Sequence, residues 1–70
     1  MTAADWIQDF CEEIGMPAPS EADTEAILRL AAIAAHASER IAAPIACWLG
    51  GASGKSLAEL QEVAEGLGGE

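Results

Sequence analysis

Apolar side chains recur along this chain in steps of three and four, not at alternate positions, so the pattern predicts helices and no strands. Trp6, Ile7, Phe10 and Ile14 share one face at about 100° per residue, with Asp5, Asp9 and Glu12 opposite. That face predicts a first helix from about Ala3 to Ile14, capped by Thr2 with Asp5 three residues on. Gly15 stops it, and Pro17 and Pro19 forbid its continuation. A longer second helix follows, capped by Ser20 or Asp23 and running to about Ile41 or Ala42. Ile27, Leu30, Ala34, Ala37 and Ile41 form its buried stripe. Pro44 ends or kinks that helix and opens a short third one, "PIACWL", which Gly50, Gly51 and Gly54 terminate. Ser56 and Glu59 have the spacing of a capping box before a last helix. Leu57, Leu60, Ala64 and Leu67 line one face of it, and "GLGGE" frays at its end. The prediction is all-α: one domain over residues 1–70, a small bundle of three main helices plus one short helix.

Composition changes the picture in one respect. Of 70 residues, 51% are apolar, but 16 residues are alanine, which favours helix and contributes little buried area. The large core candidates are few, a marginal core that is compatible with a partner, a dimer or a neighbouring domain and equally with solitary folding. The net charge is −9. Residues 1–28 carry seven acids and no base, and the only basic side chains are Arg29, Arg40 and Lys55. Such a surface is unsuited to nucleic acid, whose binding depends on phosphate neutralisation, or to an anionic membrane. The run "IAAPIACWLGGA" is too short to span a bilayer. Asp5 and Asp9 stand where a signal peptide would be basic and then apolar, so a cytoplasmic location is expected. Cys11 and Cys47, far apart and without a histidine near either, read as buried, reduced thiols; a disulfide is the weaker reading.

The stretch "LGGASGKS" at 49–56 looks like a phosphate-binding loop. A Walker motif needs a glycine five residues before its Gly-Lys pair, and that position holds Leu49. It also needs a preceding strand, and apolar helix precedes it here. The glycines are read as ending one helix and Ser56 as capping the next. The acidic helical composition also invites comparison with acyl carrier proteins. Their modified serine follows an aspartate, whereas here Lys55 precedes Ser56, and too few residues follow for the remaining carrier helices.

One cluster stands out against the acidic background. Arg29, His36 and Arg40 fall within about 40° of one another on an ideal helix. The bland reading is a solvated face whose arginines pair with acids of the first helix. The sharper one is a strip that docks an acidic or phosphorylated partner, or an anion. A lone imidazole with two arginines is no metal site, and no Ser or Cys is placed for activation. No catalytic residue, metal or cofactor is therefore expected, and the chain is read as non-enzymatic. Trp48 reads first as core and second as an interface anchor, since Trp is enriched at binding hot spots. Met16 is expected to fill a gap under the first turn.

The segments "DWIQDFCEEIG" and "AAIAAHASERIAAPIACWLGG" resemble a small actinobacterial helical domain of unknown function. That domain occurs alone or fused behind a nucleotidyltransferase similar to molybdenum cofactor guanylyltransferase. The resemblance rests on Trp6, Cys11, Ile14-Gly15, Ala35-His36, Arg40, Ala42-Ala43-Pro44 and Leu49-Gly50-Gly51, and it spans residues 5–67. It implies an accessory, protein-interaction role near molybdenum-cofactor systems. The partner would be a molybdenum-cofactor nucleotidyltransferase or a molybdoenzyme, with a homo-oligomer as a further expectation. The alternative is a small-ligand protein that holds an anionic pterin or nucleotide phosphate on Arg29, His36 and Arg40. For the glycine turn, Ser56→Ala is expected to cost about 1 kcal/mol through its lost cap, and Lys55→Ala almost nothing. Neither ATP nor GTP should bind; micromolar binding that Lys55→Ala abolishes would restore the phosphate-loop reading.

Overall fold

The structure, a computed structural model, describes residues 1–68. Four helices make up the fold of the described residues: α1 (Ala3–Ile14), α2 (Glu21–Ala37), α3 (Ala42–Ser53) and α4 (Leu57–Gly68). The all-α class follows, and no strand occurs among the described residues. The local signals act as read. The Thr2 hydroxyl accepts from the Asp5 amide at 3.1 Å, and the Ser20 hydroxyl accepts from the Asp23 amide at 3.0 Å. Gly15 ends α1 in the left-handed conformation, φ 76°. Its amide and that of Met16 then reach the carbonyls of Glu12 and Cys11. Before α4 the capping box is complete: the Glu59 amide donates to Ser56 Oγ at 3.1 Å, and the Ser56 amide donates to Glu59 Oε1 at 3.0 Å. The end of the chain, where fraying is expected, lies partly outside the described residues; α4 runs through Gly68.

The middle of the chain differs from expectation in two linked ways. α2 stops at Ala37, several residues early, and α3 is a full helix of 12 residues, not a short one. Proline explains both. Pro44 is accommodated only in a first turn, where amides have no intrahelical acceptor, so the new helix must begin just before it. α2 therefore has to end earlier still. Ser38 leaves the helical region at φ −141°, ψ −97°, and its hydroxyl donates to the Ala34 carbonyl at 2.9 Å. The amides of Ala42 and Ala43 turn back to the carbonyls of Glu39 and Arg40. Gly50 and Gly51 lie inside α3, and only Gly54, at φ 75°, ends it.

α2 is the hub: α3 and α4 both pack along it. Leu30, 7% exposed, is the buried apolar side chain of this junction. Ile27 and Ala34 are half-buried beside it, whereas Ala37 is exposed and Ile41 lies outside α2 altogether. Leu57, Leu60, Gln61 and Ala64 of α4 are half-buried, and Leu67 is exposed. Gly50 is buried where α3 meets α4; a Cβ there would lie 2.8 Å from Leu60 Cδ1. α1 adds buried Cys11 but packs more sparsely. Met16 does not fill a gap: it follows the left-handed Gly15 and is 59% exposed. Both cysteines are free, with Cys11 buried and Cys47 half-buried, the latter's thiol 3.9 Å from the Ile27 carbonyl.

Two consecutive glycines of α3, Gly50 buried and Gly51 exposed, behave oppositely on substitution. Gly51 faces open space, so Gly51→Ala is expected to stabilise by about 0.5–1 kcal/mol through helix propensity. Gly50→Ala gains the same propensity but must displace Leu60. It should fall below Gly51→Ala by about 1–2 kcal/mol in urea denaturation. Equal stability of the two variants would show that α4 yields freely at Leu60.

Candidate functional site

No enclosed site with converging polar groups is built among the described residues. No three His, Cys, Asp or Glu side chains among them could hold a metal ion. What the helices leave is apolar surface on two faces. The first belongs to α3. Its inner side, Ala43, Ala46, Cys47 and Gly50, packs inward and is half-buried or buried. Its outer side carries Ile41, Ile45, Trp48 and Leu49, all exposed, with Ala52 between them on the same face. α3 contains no charged residue at all. A helix apolar all round is normally buried all round. Trp48, expected first as core, is 72% exposed. Its neighbour Cys47 points toward α2, and one step of about 100° turns Trp48 to the rim.

The second face belongs to α1. Trp6 and Phe10 stack with ring centroids 5.0 Å apart and planes 16° from parallel. Both rings and Ile14 are exposed, because α1 buries its Cys11 edge and not the centre of its apolar face. Asp9 and Glu13 border the same shallow hollow as Trp6, Phe10 and Met1. An exposed apolar patch rimmed by polar residues is the form that an interaction surface takes. On the other side of α1, a groove runs between Ala3, Ala4, Ile7 and Gln8 and the start of α2 at Thr24, Ile27 and Leu28.

The basic residues are distributed differently from the helical strip expected. Arg29 and His36 are exposed on α2, about 100–120° round the helix from Leu30. Arg40 is exposed in the turn after α2, so the regular spacing that aligned it with them stops at Ala37. None of the side-chain hydrogen bonds among the described residues involves these three side chains. At the other end of α3, Lys55 is exposed, and its amide donates to Ser53 Oγ at 3.1 Å. The segment 49–56 is thus helix, left-handed glycine and cap, without the strand a phosphate loop requires.

The sequence model of a domain of unknown function, DUF6457, matches residues 1–68. The chain belongs to this family. No curated protein and no solved structure matches it. The DUF6457 match spans all four helices and both uncovered faces. Sequence reasoning placed Trp6 and Phe10 on the apolar face of the first helix, among the large core candidates, and did not see that face as a site. The available signal was Glu13, about 20° from Trp6 on the helical wheel; Asp9, read with the opposite face, lies only about 60° from Trp6 and borders the same hollow. For α3 it was a helix with no polar side at all.

If these faces are surface and not core, Trp48→Ala and Phe10→Ala are each expected to change the stability of the dilute domain by less than about 1 kcal/mol. Leu30→Ala should cost about 2–5 kcal/mol or unfold it. A loss at Trp48 as large as at Leu30, in dilute solution, would place the indole in the core.

Proposed function

We propose that this DUF6457 domain is a non-enzymatic docking module that binds a protein partner on the apolar face of α1. The observation that supports the reading is the stacked, exposed Trp6–Phe10 pair, continued by Ile14 and bordered by Asp9 and Glu13. Large rigid aromatics supply contact area at low entropic cost, and an acidic rim steers a partner of opposite charge. The surface therefore fits an apolar segment flanked by lysine or arginine, and an amphipathic basic helix has that form. Resemblance to the domain found alone or fused behind molybdenum cofactor guanylyltransferase-like proteins in actinobacteria supplies the candidate partner. That partner is a molybdenum-cofactor nucleotidyltransferase or a molybdoenzyme, met in the cytoplasm. The rival reading, an anionic pterin or nucleotide phosphate held by Arg29, His36 and Arg40, has less support, because Arg40 stands off α2.

Titration calorimetry of the domain against a molybdenum cofactor guanylyltransferase-like protein is expected to show saturable binding that weakens with salt. Trp6→Ala and Phe10→Ala should each weaken it by about tenfold or more, with helix content unchanged. Binding indifferent to both would move docking off α1. A pterin or nucleotide monophosphate that binds the wild type but not Arg29→Ala would favour the rival reading.

A further inference from the structure

We infer that the outer face of α3 is a self-association surface, on which a second copy of this chain packs its own α3 antiparallel about a two-fold axis. Ile41, Ile45, Trp48 and Ala52 are spaced four, three and four residues apart. That is the a/d seam of two helices packed knobs into holes, with Leu49 flanking it. The exposed residues fit this seam and the inward-packed Ala43, Ala46, Cys47 and Gly50 lie on the opposite side, so pairing costs the monomer none of its core.

Charge selects a second copy over other occupants. Each chain carries −9, so two copies repel wherever acids meet. α3 itself has no acid; one acid, Glu39, borders its outer face at the N-terminal end, and two of the three basic side chains, Arg40 and Lys55, stand at its two ends. The α1 face, rimmed by Asp9 and Glu13, repels its own copy and is unsuited to this role. An uncharged, self-complementary face suits an isologous contact, in which the same patch serves both subunits.

The same residues choose the direction. In a parallel pair, Trp48 would meet Trp48, and Arg40 would meet Arg40. In the antiparallel pair Trp48 lies against the other copy's Ile45, and Ile41 against its Ala52, so large residues meet smaller ones. Arg40 and Glu39 then approach the C-terminal end of the other α3. There the helix dipole favours a cation, and Lys55 complements Glu39. A standard interface buries about 800 Å² per partner, roughly a seventh of the 5389 Å² surface of this chain. A 12-residue helix is only about 18 Å long, so the contact falls at the small end of specific interfaces. The dimer should therefore be a weak, concentration-dependent one.

This inference is independent of docking on α1, and its test needs no partner. Sedimentation equilibrium of the wild-type chain should give monomer at low concentration and twice the 7.2 kDa mass at high concentration. Added salt should tighten the dimer by screening the −9 charge, opposite in sign to docking by an acidic rim. Ile45→Glu and Trp48→Glu should each weaken it by at least about 30-fold, while Trp6→Glu on α1 leaves it unchanged. In a Trp6→Phe background, emission from Trp48 should move to shorter wavelength as concentration rises. Monomer throughout the concentration range would overturn the inference. So would a dimer that survives Ile45→Glu, or one that Trp6→Glu abolishes; circular dichroism on each variant establishes that it remains helical.

Discussion

The packing of α3 and α4 on either side of α2 is the contact on which the rest of the domain depends. Leu30 lies at its centre, and Gly50 lets α3 approach Leu60 of α4 closely enough to close it. With 16 alanines among 70 residues, the chain has few large side chains to build with. Small residues at the junction compensate by bringing helices near one another, so dispersion contacts accumulate at short range. The design has a consequence at the surface. A core of Ala, Gly, Cys and one well-buried leucine, flanked by the half-buried Ile27, Leu57 and Leu60, consumes little of the available apolar area, and most of the large apolar residues remain outside.

That outward apolar surface is organised, not scattered. On α1 it is aromatic and acid-rimmed; on α3 it is aliphatic with one indole and no charge. The difference in rim chemistry separates two roles for one small domain. An acidic border draws a basic partner and keeps copies of the chain apart. A neutral face lets copies meet despite a charge of −9 on each. Exposed faces on two helices also fit a chain near the size limit of independent folding, since association buries surface that the monomer cannot.

Pro44 connects the fold to these surfaces. By requiring a first-turn position it sets where α3 begins, and this fixes which residues of α3 face inward. A start displaced by one residue would rotate the helix by about 100° relative to its neighbours and bring Trp48 off the rim. The same constraint shortens α2 and detaches Arg40 from the face shared by Arg29 and His36. One ring thus decides the phase of the α3 surface and the break in the basic strip.

Much of this protein was legible in its sequence because the signals are local. Caps at Thr2, Ser20 and Ser56, the stop at Gly15 and the 3.6-residue periodicity of α1 and α4 depend on neighbours within one or two turns. The all-α class and the failure of "GGASGKS" as a phosphate loop follow from the same short-range chemistry. Burial was not legible in that way. An apolar stripe states that a face is free of charge, but not that another helix exists to cover it. The sequence could therefore present Trp6, Phe10 and Trp48 as candidates for the core, and only the tertiary arrangement decided that none of them is buried. The extent of α3 was likewise a tertiary decision. Glycine terminates an isolated helix by its propensity, yet Gly50 and Gly51 continue this one, because at Gly50 the absence of a side chain is what allows Leu60 to sit against the backbone.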